Sequence, residues 1–143
     1  MSRQLFVNLA VDDLDRSIAF FTALGFSFEP RFTDETSTCM IVGDDAYVML
    51  LTRAKFEEFA KKPIVDASSQ TEVLLAISAG SREGVDELAD AALASGGSDA
   101  AEPLDYSFMY SRSFQDPDGH VWEVVWMDDA AVEAEVAKAG AAA

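Results

Sequence analysis

The chain has 143 residues, half of them hydrophobic, and its 10 Lys and Arg against 26 Asp and Glu give a formal net charge of −16. This length and composition predict one folded domain over residues 1–143 with a sizeable core, and exclude a disordered chain. The acidity argues against nucleic acid and anionic membranes as partners and favours cationic ligands. The single cysteine, Cys39, fits a reducing, cytoplasmic location.

The first half of the chain predicts a module of one strand, one helix and three further strands, over about residues 4–65. Apolar residues alternate in the first strand, Asp12 and Asp13 can cap the helix that follows, and Gly25 can end that helix. Thr52 is expected to cap a short second helix. The strands are predicted at 4–11, 26–30, 38–42 and 46–52.

The same plan is repeated after a polar linker at 66–70, over about residues 71–128. Ser81 caps the predicted helix of this second module, and Gly96 and Gly97 stop it. An internal repeat of this kind indicates two similar βαβββ modules. The strands are predicted at 72–77, near Ala100, at 106–114 and at 121–127, and a C-terminal helix is predicted at 129–143.

Two motifs at opposite ends of this repeat carry a resemblance to a known family. Residues 7–21, VNLAVDDLDRSIAFF, followed by LGF at 24–26, resemble the opening of the vicinal oxygen chelate superfamily, and 116–123, DPDGHVWE, resembles its closing motif. That superfamily includes glyoxalase I, extradiol dioxygenases and bleomycin or fosfomycin resistance proteins. The resemblance implies an α+β fold in which two βαβββ modules form an eight-stranded, U-shaped mixed sheet around a cleft, commonly in a homodimer.

Metal-dependent members of this superfamily bring four ligands, usually His and Glu, from strands that face the cleft. By motif position these ligands fall on Phe6, Leu50, Glu72 and Glu123 of this chain, of which only the two glutamates can bind a metal. We therefore expect no metal cofactor. The alternative is a divalent ion (Mg²⁺, Mn²⁺, Ni²⁺ or Zn²⁺) held by Glu72 and Glu123.

Strand alternation and motif position together predict a set of residues that line the ligand cleft. Glu123 lies within an apolar strand, so it either faces water or faces a pocket with a role there, as a catalytic group or as a group held by hydrogen bonds. The sole histidine, His120, is predicted to be a turn residue and not a general base. The predicted lining residues are Phe6, Asn8, Leu50, Glu72, Tyr110, Arg112, Glu123 and Val125.

Three functions are compatible with these residues. The first is a bleomycin-resistance-like protein that binds a small organic molecule in its cleft without a complete catalytic metal site. The second is a metal-dependent lyase or dioxygenase of the glyoxalase I kind with a carboxylate-based site, in which Glu123 is a ligand or a base. The third is a non-catalytic protein that uses the cleft or the C-terminal helix to hold partners.

Overall fold

The computed structural model of the protein describes residues 2–142, so the last residue of the predicted C-terminal helix, Ala143, lies outside the described part. The elements in chain order are β1 (Leu5–Val11), α1 (Leu14–Ala23), β2 (Ser27–Phe28), β3 (Ser37–Gly43), β4 (Ala46–Thr52), α2 (Arg53–Phe59), β5 (Leu74–Ser78), α3 (Arg82–Ala94), β6 (Ser98–Asp99), β7 (Leu104–Tyr106), β8 (Met109–Gln115), β9 (Val121–Met127) and α4 (Asp129–Ala142).

The expected caps start the helices. The Asp13 carboxylate accepts the backbone N–H of Arg16 at the start of α1, and the Ser81 hydroxyl does the same for Gly84 at the start of α3. Each cap satisfies a backbone N–H that has no partner within the helix. Gly96 follows α3 with a φ of +112°, a conformation that favours glycine.

The repeat is visible in the order of the strands. The first sheet has the order β1-β4-β3-β2, and the second has β5-β9-β8-β6, with β7 also paired to β8. In each sheet the first strand runs parallel to its neighbour and the other pairs are antiparallel. The α+β class, the doubled module and the C-terminal helix are therefore confirmed. The strands form two separate hydrogen-bonded sheets, with β1 at the edge of the first sheet and β5 at the edge of the second.

One predicted strand is divided. A turn at residues 107–108 separates β7 from β8, so Tyr106 lies on a different strand from Tyr110 and Arg112. The run of aromatic and β-favouring residues from 106 to 114 has no glycine or proline to mark this turn, and composition alone therefore predicts one continuous strand.

The core lies between the two sheets, where α1 contacts both of them. Phe21 packs against Trp122 of β9 with ring centroids 5.3 Å apart, and Phe20 lies 6.2 Å from Phe114 of β8. We call the surface of each sheet that packs on α1 and α3 the helix side. We call the opposite surface the open face; it carries Phe6, Asn8, Tyr47 and Met49 in the first sheet and Leu74, Ala76, Glu123 and Val125 in the second.

No helix within residues 2–142 has the length and apolar character needed to cross a lipid bilayer.

Candidate functional site

The predicted cleft residues of the first module divide between the two surfaces of its sheet. Phe6 and Asn8 lie on the open face, opposite Tyr47 and Met49 of β4. Leu50 is fully buried on the helix side, so its predicted position in the cleft is wrong by one residue. The strand from 47 to 51 is apolar on both surfaces, and the hydrophobic pattern therefore does not fix which residues point to which side.

Tyr110 and Arg112 also lie on the helix side, and their predicted place in the cleft is corrected. The Tyr110 hydroxyl donates to Asp86 of α3 at 2.6 Å, and Arg112 donates to Asp86 at 3.0 Å and to Asp90 at 2.8 Å. The Tyr110 and Arg112 hydrogen bonds lower the pKa of Asp86. The guanidinium is thus engaged in fixing α3 on its sheet.

Glu123 and Val125 lie on the open face of the second sheet. Glu123 is half-buried between its cross-strand neighbours Ala76 and Ser113. It lines a hollow of about 360 Å³ that also contains Ser113 and Gln115. Within residues 2–142 no other carboxylate or imidazole joins it there.

Glu72 and His120, far apart in sequence, meet at the junction of the two modules. Glu72 Oε1 lies 2.5 Å from His120 Nδ1, and His120 Nε2 lies 2.7 Å from the carbonyl oxygen of Ala10. A carbonyl oxygen can only accept, so Nε2 carries a proton. His120 is therefore more than the turn residue that was expected: its ring is buried and joins β1 to the second module.

Burial opposes charge on His120, but the Asp116 carboxylate, the Ala10 carbonyl and Glu72 outweigh burial and raise the pKa of this imidazole above its ordinary value. Burial also raises the pKa of Asp116, even though that carboxylate accepts from the indole N–H of Trp122 at 3.1 Å. The junction thus favours the charged form of the imidazole, which bonds Glu72 through Nδ1 and the Ala10 carbonyl through Nε2.

The turn between β8 and β9 completes the junction. Asp118 Oδ1 accepts the backbone N–H of Asp12 at 2.9 Å and a guanidinium N–H of Arg16 at 3.2 Å. Its other oxygen accepts from the hydroxyl of Ser17 at 3.4 Å. The closing motif of the second module therefore binds the start of α1 in the first module, a role that the sequence analysis did not assign to it.

A cavity of about 540 Å³ opens beside this junction, and we call it the junction cavity. Asn8 and Glu72, both predicted to line the ligand cleft, line it together with His120 and Asp118. The remaining wall comes from β1, from α2 and from the segment after α2, and its apolar side chains include Phe56, Pro63, Ile64 and Val65. The sequence analysis missed this apolar wall, because the segment at 60–68 has no strand or helix pattern to place it.

The donors on the two open faces do not match the ligand set that Zn²⁺ or Ni²⁺ prefers. Within the described part of the chain no three His, Cys, Asp or Glu side chains converge as a metal site. Glu123 shares its open face with Leu74, Ala76 and Val125, and the corresponding surface of the first sheet offers the neutral oxygen of Asn8. Glu72, the other predicted donor, bonds His120 at the junction. A Zn²⁺ or Ni²⁺ site prefers imidazole or thiolate ligands, which this surface lacks.

Comparison with known proteins agrees with this fold. The model of the bleomycin resistance protein-like N-terminal family matches residues 3–43. A hypothetical protein from S. aureus is 26% identical, with a TM-score of 0.73, over 87% of this chain and 94% of that one. A glyoxalase/bleomycin resistance protein/dioxygenase family enzyme from Burkholderia phytofirmans is 18% identical, with a TM-score of 0.71, over 87% and 98% of the two chains. No curated protein matches the chain by sequence.

The fosfomycin resistance protein FosX from Mesorhizobium loti shares the fold at 16% identity, with a TM-score of 0.61, over 90% of this chain and 92% of that one. The family match over residues 3–43 and the shared fold support a relation of this chain to the vicinal oxygen chelate superfamily.

Proposed function

We propose that the protein binds a small organic molecule in the junction cavity and has no complete catalytic metal site. The observation that carries this proposal is the cavity itself. Its volume of about 540 Å³ suits a small ligand, and its wall combines apolar side chains, among them Phe56, Ile64 and Val65, with polar ones, among them Asn8, Glu72 and His120. Pockets that bind small molecules commonly combine these features.

The proposal includes a homodimer and a cytoplasmic location. Exposed apolar side chains on the two open faces support the dimer: Phe6 is 46% exposed and Leu74 is 66% exposed. These faces of one subunit would be covered by the other, so that Glu123 and Val125 would line a cleft between subunits. The sole cysteine, Cys39, is a free buried thiol, which suits a reducing compartment.

Binding in the junction cavity is tested by thermal unfolding with a panel of small aromatic compounds. A compound that binds the native state, added at about 100 times its Kd, should raise the melting temperature by roughly 5–10 °C. Phe56→Ala should abolish this shift because Phe56 forms part of the cavity wall. Phe59→Ala is the matched control, since Phe59 lies on the same helix and is 62% exposed. A shift of equal size in both variants, or no shift with any compound, would contradict the proposal.

Metal independence is tested separately. The purified protein should contain far less than one metal ion per chain by plasma mass spectrometry, and Mg²⁺, Mn²⁺, Ni²⁺ or Zn²⁺ should leave its melting temperature unchanged. Stoichiometric metal that is lost in Glu123→Ala and retained in Glu57→Ala, a change at an exposed site on α2, would instead support the lyase or dioxygenase alternative.

The proposed homodimer is tested by measuring the mass of the protein in solution. Light scattering should give twice the mass of one chain, and Leu74→Glu should give the mass of a single chain because a charge on the open face opposes its burial. Val136→Glu is the control, because Val136 is equally exposed, at 66%, but lies on α4. A monomeric wild-type protein would disprove the dimer.

A further inference from the structure

The junction cavity collects basic side chains in a strongly acidic protein. Arg16, Arg53, Lys61 and Lys62 all line it, although the whole chain has only 10 Lys and Arg against 26 Asp and Glu. The sequence-based expectation of a cationic ligand came from the net charge of the whole chain. Charges in direct contact with a ligand matter more, because salt at physiological strength screens exposed charges beyond about 8 Å.

Most of the acidic groups around the cavity already have partners. Asp118 pairs with Arg16 at 3.2 Å, and Glu72 pairs with His120. Asp12 lies 3.7 Å from Arg53. These acidic groups are therefore not free to bind a ligand cation.

The fourth acidic group, Asp66, accepts hydrogen bonds from the backbone N–H and the hydroxyl of Ser68, at 3.0 and 2.6 Å. It is thereby tied to the loop that carries it and directs its oxygen towards Ser68. The cavity wall thus offers no carboxylate without a partner of its own.

The two lysines are different. Within residues 2–142 neither Lys61 nor Lys62 forms a salt bridge, and both side chains belong to exposed residues just beyond the end of α2. The other lysines do have partners: Lys55 pairs with Glu58 at 3.3 Å, and Lys138 with Glu135 at 3.6 Å. Two positive charges that have no salt-bridge partner within residues 2–142 therefore lie at the rim of the junction cavity.

We propose that the ligand of the junction cavity is an organic anion with an apolar body. Its carboxylate, or a group of similar charge, pairs with Lys61 and Lys62 at the rim, and its apolar part packs on Phe56, Ile64 and Val65. This inference rests on the proposed function, because it names the class of molecule that the same cavity binds. It is the opposite of the cationic ligand that the net charge of −16 favours.

Three naphthalene compounds with a negative, a neutral and a positive substituent at the same ring position test this inference by calorimetry: 2-naphthoate, 2-naphthalenemethanol and 2-naphthylmethylammonium. We expect the carboxylate to bind most tightly. The double variant Lys61→Gln/Lys62→Gln should weaken its binding about three- to thirtyfold, the value expected for two exposed charge pairs. Lys55→Gln/Lys138→Gln makes the same change of charge away from the cavity and should leave the affinity unchanged.

The results of these experiments distinguish the anionic-ligand inference from the proposed binding of a small molecule in the junction cavity. Tighter binding of the ammonium or the alcohol, lost in Phe56→Ala, would overturn the anion inference and leave the binding function in place. Equal affinity of the two double variants for 2-naphthoate would also overturn it. If none of the three compounds binds and the wider panel gives no thermal shift, the proposed function itself fails.

Discussion

Gly119→Ala should lower the free energy of unfolding by about 3 kcal/mol, through backbone strain and a steric clash that act together. Gly119 has a φ of +95°, which residues with a side chain rarely adopt. A Cβ atom there would lie 2.7 Å from the carbonyl oxygen of Ala67 and 2.8 Å from the Cα of Ser68. Both are backbone atoms, so they cannot move aside as the end of a flexible side chain can.

Gly96→Ala separates the two causes. Gly96 has a φ of +112°, but a Cβ atom there would meet no heavy atom within 4 Å. This variant should therefore show only the conformational cost, of about 1 kcal/mol. Urea unfolding of both variants measures the difference. Equal losses would show that the linker at 66–70 does not pack closely on the turn between β8 and β9.

The stability of the protein should fall as the pH rises above about 6.5, the ordinary pKa of an unfolded histidine. Because folding raises the pKa of His120, the stabilisation is complete below that pH and is lost as the pH passes the higher pKa of the folded state. The slope is at most about 1.4 kcal/mol per pH unit for one group. Burial raises the pKa of Asp116 as well, so this group contributes a loss of the same sign at lower pH.

His120→Gln provides the comparison, because His120 is the only histidine of the chain. Glutamine keeps a polar group at the junction but does not titrate, so the variant should be less stable at pH 6 and should lose no further stability between pH 6.5 and 8 from this source. Urea unfolding across pH 5–8 measures both profiles. A wild-type profile that is flat or rises in this range would show that the imidazolium does not stabilise the fold.

The sequence predicts the architecture of this protein well for identifiable reasons. The first module begins with an alternating strand and the second with an apolar one. Each strand is followed by an Asp or Ser cap and a glycine stop, and these local signals act within a few residues. The structure places Asp13, Ser81 and Gly96 in those roles. The resemblance of the two motifs then supplied the pairing of the modules, which local signals do not contain.

The candidate site is harder to predict, because it depends on which residues of a strand face which side of the sheet and on contacts between residues far apart in sequence. Alternation does not distinguish Leu50 from Met49 in a strand that is apolar on both surfaces. Tyr110 and Arg112 look like cleft residues until Asp86 of α3 is seen to lie above them. The pairing of Glu72 with His120 joins positions separated by 48 residues, and nothing in the local sequence of either one indicates it.

The packing of Phe20 and Phe21 on the second sheet couples the unfolding of the two repeats. Each repeat contributes contacts to the other: α1 of the first repeat packs on Phe114 and Trp122, and Asp118 of the second accepts a hydrogen bond from the start of α1. Neither half therefore buries its own apolar surface when alone. The two repeats should melt in a single cooperative transition, and slowly exchanging amide hydrogens should occur in both sheets with similar protection.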